Sequence, residues 1–99
     1  MHGITVEPTV LENTASAIEN INMEVNLVVK ELYGTVEMLS VSWQGDDNTA
    51  FVNQILGYQD DFQKINLLMN QYIEFLRNSA SAYRQTQNEL ALQAASLTN

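Results

Sequence analysis

The residues able to do chemistry are few, and their spacing argues against catalysis. Glu12 with Glu19, and Glu24 with Glu31, lie seven residues apart and so share a helix face. Two such carboxylates could act as general acid and base, but these flank a hydrophobic seam, where a solvated acidic stripe is the expectation. A di-metal carboxylate site in a helical bundle needs inward-facing Glu-x-x-His pairs. The one histidine is His2, so none can be built. Ser79 and Ser81 have no histidine or lysine base at compatible helical spacing. Cysteine is absent, which removes disulfides and thiol chemistry. There is no glycine-rich phosphate loop either. No catalytic residue, metal site or cofactor is expected, and the chain reads as a non-enzyme.

Charge narrows the partners. Twelve acidic residues against four basic ones give a net charge of -8, which repels both nucleic-acid backbones and anionic membrane surfaces. Apolar runs such as Leu27-Val28-Val29 and Leu67-Leu68-Met69 are far too short to span a bilayer. The opening Met1-His2-Gly3-Ile4 has no basic region followed by an apolar stretch, so no standard signal peptide is expected. If the protein leaves the cell, the route must read some other signal.

The elements that carry these residues are helices. The 99 residues suffice for one domain, and a hydrophobic content of 45% is too high for compositional disorder. Pro8 suits a first helical turn, and no breaker follows until Gly34. Leu11, Ile18, Val25, Leu32 and Leu39 recur every seven residues, beside a second row of Thr14, Ile21, Val28 and Thr35. Only a helix presents such a seam on one face. After a loop signal at Ser40 to Gly45 the pattern resumes. One row is Ile55, Phe62, Met69, Leu76, Tyr83, Leu90 and Leu97; the other is Phe51, Tyr58, Ile65 and Tyr72. The second row then turns polar at Ser79, Thr86 and Gln93, which predicts a tail that frays or orders only against a partner. Gly34 and Gly57 lie inside continuous heptads and read as tolerated positions or close contacts, not as breaks.

The expected architecture is all-α: a single hairpin domain over 1–99, with helix 1 at about 9–40, a turn at 41–46, helix 2 at about 47–92 and a frayed end. Asp46 and Asp47 favour the start of the second helix through its macrodipole. A two-helix hairpin is thin, and Val29, Val36, Leu68, Ile73 and Phe75 widen its apolar stripe. They form the predicted dimer flank, through which two hairpins would make a four-helix bundle.

The most specific local signal is Trp43-Gln44-Gly45 between the two heptad registers. Tryptophan at a helical turn is expected to cap the end of the core with a large buried area. Glycine two residues later supplies a positive φ or room for close approach. Trp-x-Gly at the midpoint of a chain of about a hundred residues, Ile4-x-Val6-x-Pro8 before the first helix and a heptad hairpin together resemble the WXG-hundred family. These are the early-secreted-antigen-like small proteins of type VII secretion.

The resemblance implies a helical hairpin that pairs with itself or with a second WXG-type protein. It also implies export without a signal peptide from the bacterial cytoplasm, on recognition by a secretion-system membrane ATPase. Many family members carry a C-terminal Tyr-x-x-x-Asp/Glu export motif. The nearest match here is Tyr83 to Gln87, where glutamine replaces the acid, and Glu89 falls two residues too late. Tyr83 also lies on the heptad row, so core packing is its expected role.

Three functions are compatible with the sequence. The first is a dimeric export substrate or component of a type VII system. The second is an adaptor that binds the helical N-terminal domain of a larger effector toxin. The third is a cytoplasmic coiled-coil scaffold whose Trp-x-Gly is coincidental.

Overall fold

A computed structural model describes residues 6–43 and 45–97. Helix α1 runs Pro8–Ser42, α2 Asp46–Gly57 and α3 Gln59–Leu97, with no strand among the described residues. Helices α2 and α3 form one arm, which folds back antiparallel along α1. His2, Ile4 and Gln44 lie outside the described residues.

Local chemistry sets the ends. Pro8 opens α1 as a first-turn residue, and it is buried. Both second-arm helices begin with two acids, Asp46 and Asp47 on α2 and Asp60 and Asp61 on α3, where the helix dipole favours negative charge. Gly34 passes without a break, as expected. At Gly57 the ladder is interrupted for one residue: the Tyr58 N–H donates to the carbonyls of both Ile55 and Leu56, and Phe62 resumes by donating to Tyr58. Glycine adds little to hold the ladder there. At the C-terminal end α3 is helical to Leu97, beyond the end near 92 expected for the second helix. Residues 78–97 contain no proline or glycine and many good helix formers.

The seam differs from expectation in one of its two rows on each arm. Leu11, Ile18, Val25 and Leu39 of α1 lie on it, as do Ile55, Phe62, Met69 and Leu76 opposite. The second rows sit one residue later than expected. Ala15, Asn22, Val29 and Val36 face inward instead of Thr14, Ile21, Val28 and Thr35, while Val52, Asn66 and Ile73 replace Phe51, Ile65 and Tyr72 and Ala80 follows in the same row; Gln59, one residue after Tyr58, is exposed. Each helix carries two apolar strips side by side, and periodicity alone favours the more apolar one. Packing selects the strip with small residues, Ala15 and Ala80, which lets the arms approach.

In heptad terms the inward rows are a and d, with e on one edge of the hairpin and g on the other. The e edge is polar. Arg77 pairs with Glu19 at 3.1 Å, and Arg84 pairs with Glu12. Asn22 Nδ2 donates to Asn70 Oδ1 at 3.2 Å, and Asn26 Nδ2 to Asn66 Oδ1 at 3.0 Å. Tyr33 donates its hydroxyl to the Ile55 carbonyl and sets its ring edge-on to Phe62. The expected free acidic stripe is thus partly claimed, since Glu12 and Glu19 each hold an arginine of the opposite arm. The core is thin: among the described residues no large side chain is fully buried.

Candidate functional site

Three regions hold the residues singled out from sequence: the turn, the g edge and the end of α3. At the turn, the Trp43 N–H donates to the Leu39 carbonyl at 2.8 Å and closes α1. Gly45 then adopts φ 128° and ψ 174° as the N-cap of α2. A Cβ built there would meet nothing within 4 Å, so the backbone conformation alone requires glycine. Of the two reasons expected for this glycine, positive φ is the one that applies.

Trp43 is not the buried cap expected of it. Its indole is 42% exposed and leans on the Phe51 ring at 5.9 Å between centroids. Helix α1 has ended at Ser42, and the indole meets the second arm through Phe51 at the rim of the hairpin end. Asn48, which the sequence gave no cause to single out, fastens the turn. Its side chain is buried and its Nδ2 donates to the Trp43 carbonyl, while Oδ1 has no partner among the described residues.

The g edge carries the apolar strips left outside the seam. Ile21 and Val28 of α1, with Ile65 and Tyr72 of α3, are exposed along it. Val25, Val29, Leu32 and Phe62 join Ile21 and Val28 around an open groove of about 350 Å³. Of the expected dimer flank, Leu68 and Phe75 remain outward, 60% and 63% exposed, and Phe75 sets its ring against Tyr72 at 6.2 Å. Val29 is half-buried. Val36 and Ile73 are a correction: they are 3% and 5% exposed because they lie on the inward row and close the hairpin itself. Their place outside is taken by Ile21, Val28, Ile65 and Tyr72, which sequence reading put inside.

Tyr83 and Gln87 lie four residues apart on one face of α3, both exposed. Core packing of Tyr83 is also corrected, since it is 47% exposed at the level where α1 begins. Its neighbour Arg84 ties this region to α1 through Glu12. That hydrogen bond holds the Glu12 carboxyl below its ordinary 4.5, against a smaller upward push from desolvation. Burial, with Asp61 nearby, raises the Tyr33 phenol.

Among the described residues no group of acids and histidines could hold a metal ion, and no helix is long and apolar enough to cross a membrane.

A long helical hairpin closed by Trp-x-Gly and bearing one apolar edge defines a class of small all-α interaction proteins. The chain belongs to the WXG100 family, described as proteins of 100 residues with WXG, whose model matches residues 3–88. It is therefore a small protein related to type VII secretion, from a family of non-enzymatic secreted helical proteins that typically pair with themselves or with one another. Solved structures that share its fold include two Esx proteins. EsxA of Geobacillus thermodenitrificans is 24% identical with a TM-score of 0.82, over 91% of this chain and 99% of that one. The secreted protein EsxB of Bacillus anthracis str. Sterne is 24% identical with a TM-score of 0.74, over 89% and 97%. No curated protein sequence matches the chain.

Proposed function

We propose that the protein is an export substrate or component of a type VII secretion system, which leaves the cell without a signal peptide as half of a four-helix bundle. The observation that carries this reading is the g edge. A hairpin one layer thick exposes Ile21, Val28, Ile65, Leu68, Tyr72 and Phe75 in a continuous strip. Contiguous apolar surface of that kind costs about 25 cal/mol per Å² to keep in water, and a second hairpin laid along it removes the cost. The partner is another hairpin of the family, and the membrane ATPase of the system reads the assembled pair. Tyr83 and Gln87 stand on an exposed helix face where such a reader could reach them.

The test is export in the producing bacterium. The protein is expected in the culture supernatant when the ATPase is intact and only inside cells when the ATPase gene is deleted. Leu68→Lys with Phe75→Lys should block its appearance while leaving helicity unchanged. Equal secretion with and without the ATPase overturns the reading.

A second reading is favoured by one feature. Beyond Ala80, α3 runs on with Leu90, Leu92 and Leu97 exposed. A longer partner, such as the helical N-terminal domain of an effector toxin, could cover this stretch together with the g edge. The chain would then be an adaptor. Co-purification of a large helical protein that is lost on truncation before Leu90 would favour it over the first reading.

A further inference from the structure

The charges of the hairpin are sorted by edge. Outward of each g row lies a c row, which forms the rim of the apolar edge. On α1 that rim carries Glu24 and Glu31, and on the second arm Asp47 and Asp61 before the same row passes to Leu68 and Phe75, all exposed. Glu24 is also part of the wall of the apolar groove beside Val25 and Val28. The four basic residues are elsewhere. Arg77 and Arg84 are on the e edge, bound to Glu19 and Glu12. Lys30 falls at a b position beside that edge, and Lys64 at an f position on the outer face of α3. None occupies a g or c position: Lys64 lies one turn from Asp61 on α3, whereas Glu24 and Glu31 have no basic residue three or four positions away.

We infer that the g edge is built for a hairpin whose own rim is basic, and that a second copy of this chain is its poorer partner. This rests on the pairing reading above and adds to it which hairpin fits. Two copies joined across the g edge would bring acidic rims together, with no basic residue one turn from Glu24 or Glu31 to offset them. Like charges set against each other across an interface select against that partner. Lysines or arginines on the c rows of the other hairpin would instead meet Glu24, Glu31 and Asp61 around a shared apolar strip. The locked arginines follow the same logic: by pairing within the hairpin they stabilise the fold and are unavailable to neutralise the rim.

A charge-reversed copy of the chain serves as the probe. The variant Glu24→Lys, Glu31→Lys, Asp61→Lys keeps the g row intact and supplies the basic rim. Differently tagged wild type and variant are mixed, and the three possible dimers are resolved by native mass spectrometry. The mixed dimer is expected at about tenfold or more above its statistical share at low salt. In about 1 M salt, where the Debye length is about 3 Å, that excess should vanish. Should the lysine variant fold poorly, Glu24→Gln, Glu31→Gln, Asp61→Asn gives an independent measure: its self-association should be tighter than that of wild type at low salt and equal in high salt. Dimers in statistical proportion at both salts, or a neutral variant no tighter than wild type, overturn the inference and leave pairing through the g edge intact. Monomers at every salt and in every mixture overturn the pairing itself, and the inference with it.

Discussion

At Gly45 the backbone occupies φ 128° and ψ 174°, a region that residues with a side chain essentially never enter. Gly45→Ala should therefore cost about 1 to 3 kcal/mol, seen as a lower urea midpoint at unchanged slope. Because a Cβ meets no neighbour there, relaxing the surroundings cannot rescue it. Trp43 behaves differently. Full burial of an indole would make Trp43→Ala cost about 3 to 5 kcal/mol, but at 42% exposure the expected loss is about 1 to 2 kcal/mol by thermal denaturation. A loss at the upper figure would mean that the indole is covered by a partner in solution. Both residues were legible because tryptophan and glycine announce themselves between two heptad runs. Asn48 was not. Its contact depends on where the turn delivers the Trp43 carbonyl, and nothing local in the sequence encodes that.

The two arms are registered by polar contacts along one edge. Asn22 sits on the inward row and bonds Asn70, while Asn26 bonds Asn66 a turn away. A polar residue at such a position fixes alignment at a cost in stability. Asn22→Leu should raise the melting temperature yet produce a second set of amide resonances from a slipped register; a single set with reduced stability would contradict this.

The Glu12 to Arg84 pair adds a pH dependence whose sign is fixed. The folded carboxyl titrates below its ordinary 4.5, so the unfolded chain binds more protons in that interval. The stabilisation is complete above 4.5 and is lost as pH falls through the lowered folded value. The gap in urea midpoint between wild type and Arg84→Gln should be constant above 4.5 and close on further acidification. A gap that widens at low pH would reverse the assignment.

At this scale the helices, their heptad period and the first inward row could be read from sequence. The second row could not, because each helix has two adjacent apolar strips, and only the packing of Ala15 against the opposite arm shows which one is covered. The interruption at Gly57 was hidden for a related reason, since the heptad runs through it unbroken.

The molecule measures 82 × 22 × 18 Å with a radius of gyration of 22.9 Å, against about 13 Å for a compact chain of 100 residues. A rod of that shape has little interior. Among the described residues the buried hydrophobic core is Ala15, Val36, Ile73, Leu76 and Ala80, and the larger side chains lie mostly outside. Composition and length pointed to a need for a partner, but the edge that would take it was legible only in part. Leu68 and Phe75 stood out as surplus to the seam, whereas Ile21, Val28, Ile65 and Tyr72 looked like the seam itself. The most direct test of the pairing is the mass of the purified chain in about 1 M salt, where repulsion between acidic rims is screened. Light scattering should give twice the 11.1 kDa of one chain, falling to a single chain with unchanged helicity in Leu68→Lys with Phe75→Lys. A wild-type mass of 11.1 kDa at every concentration, or a double variant that stays paired, would contradict the account.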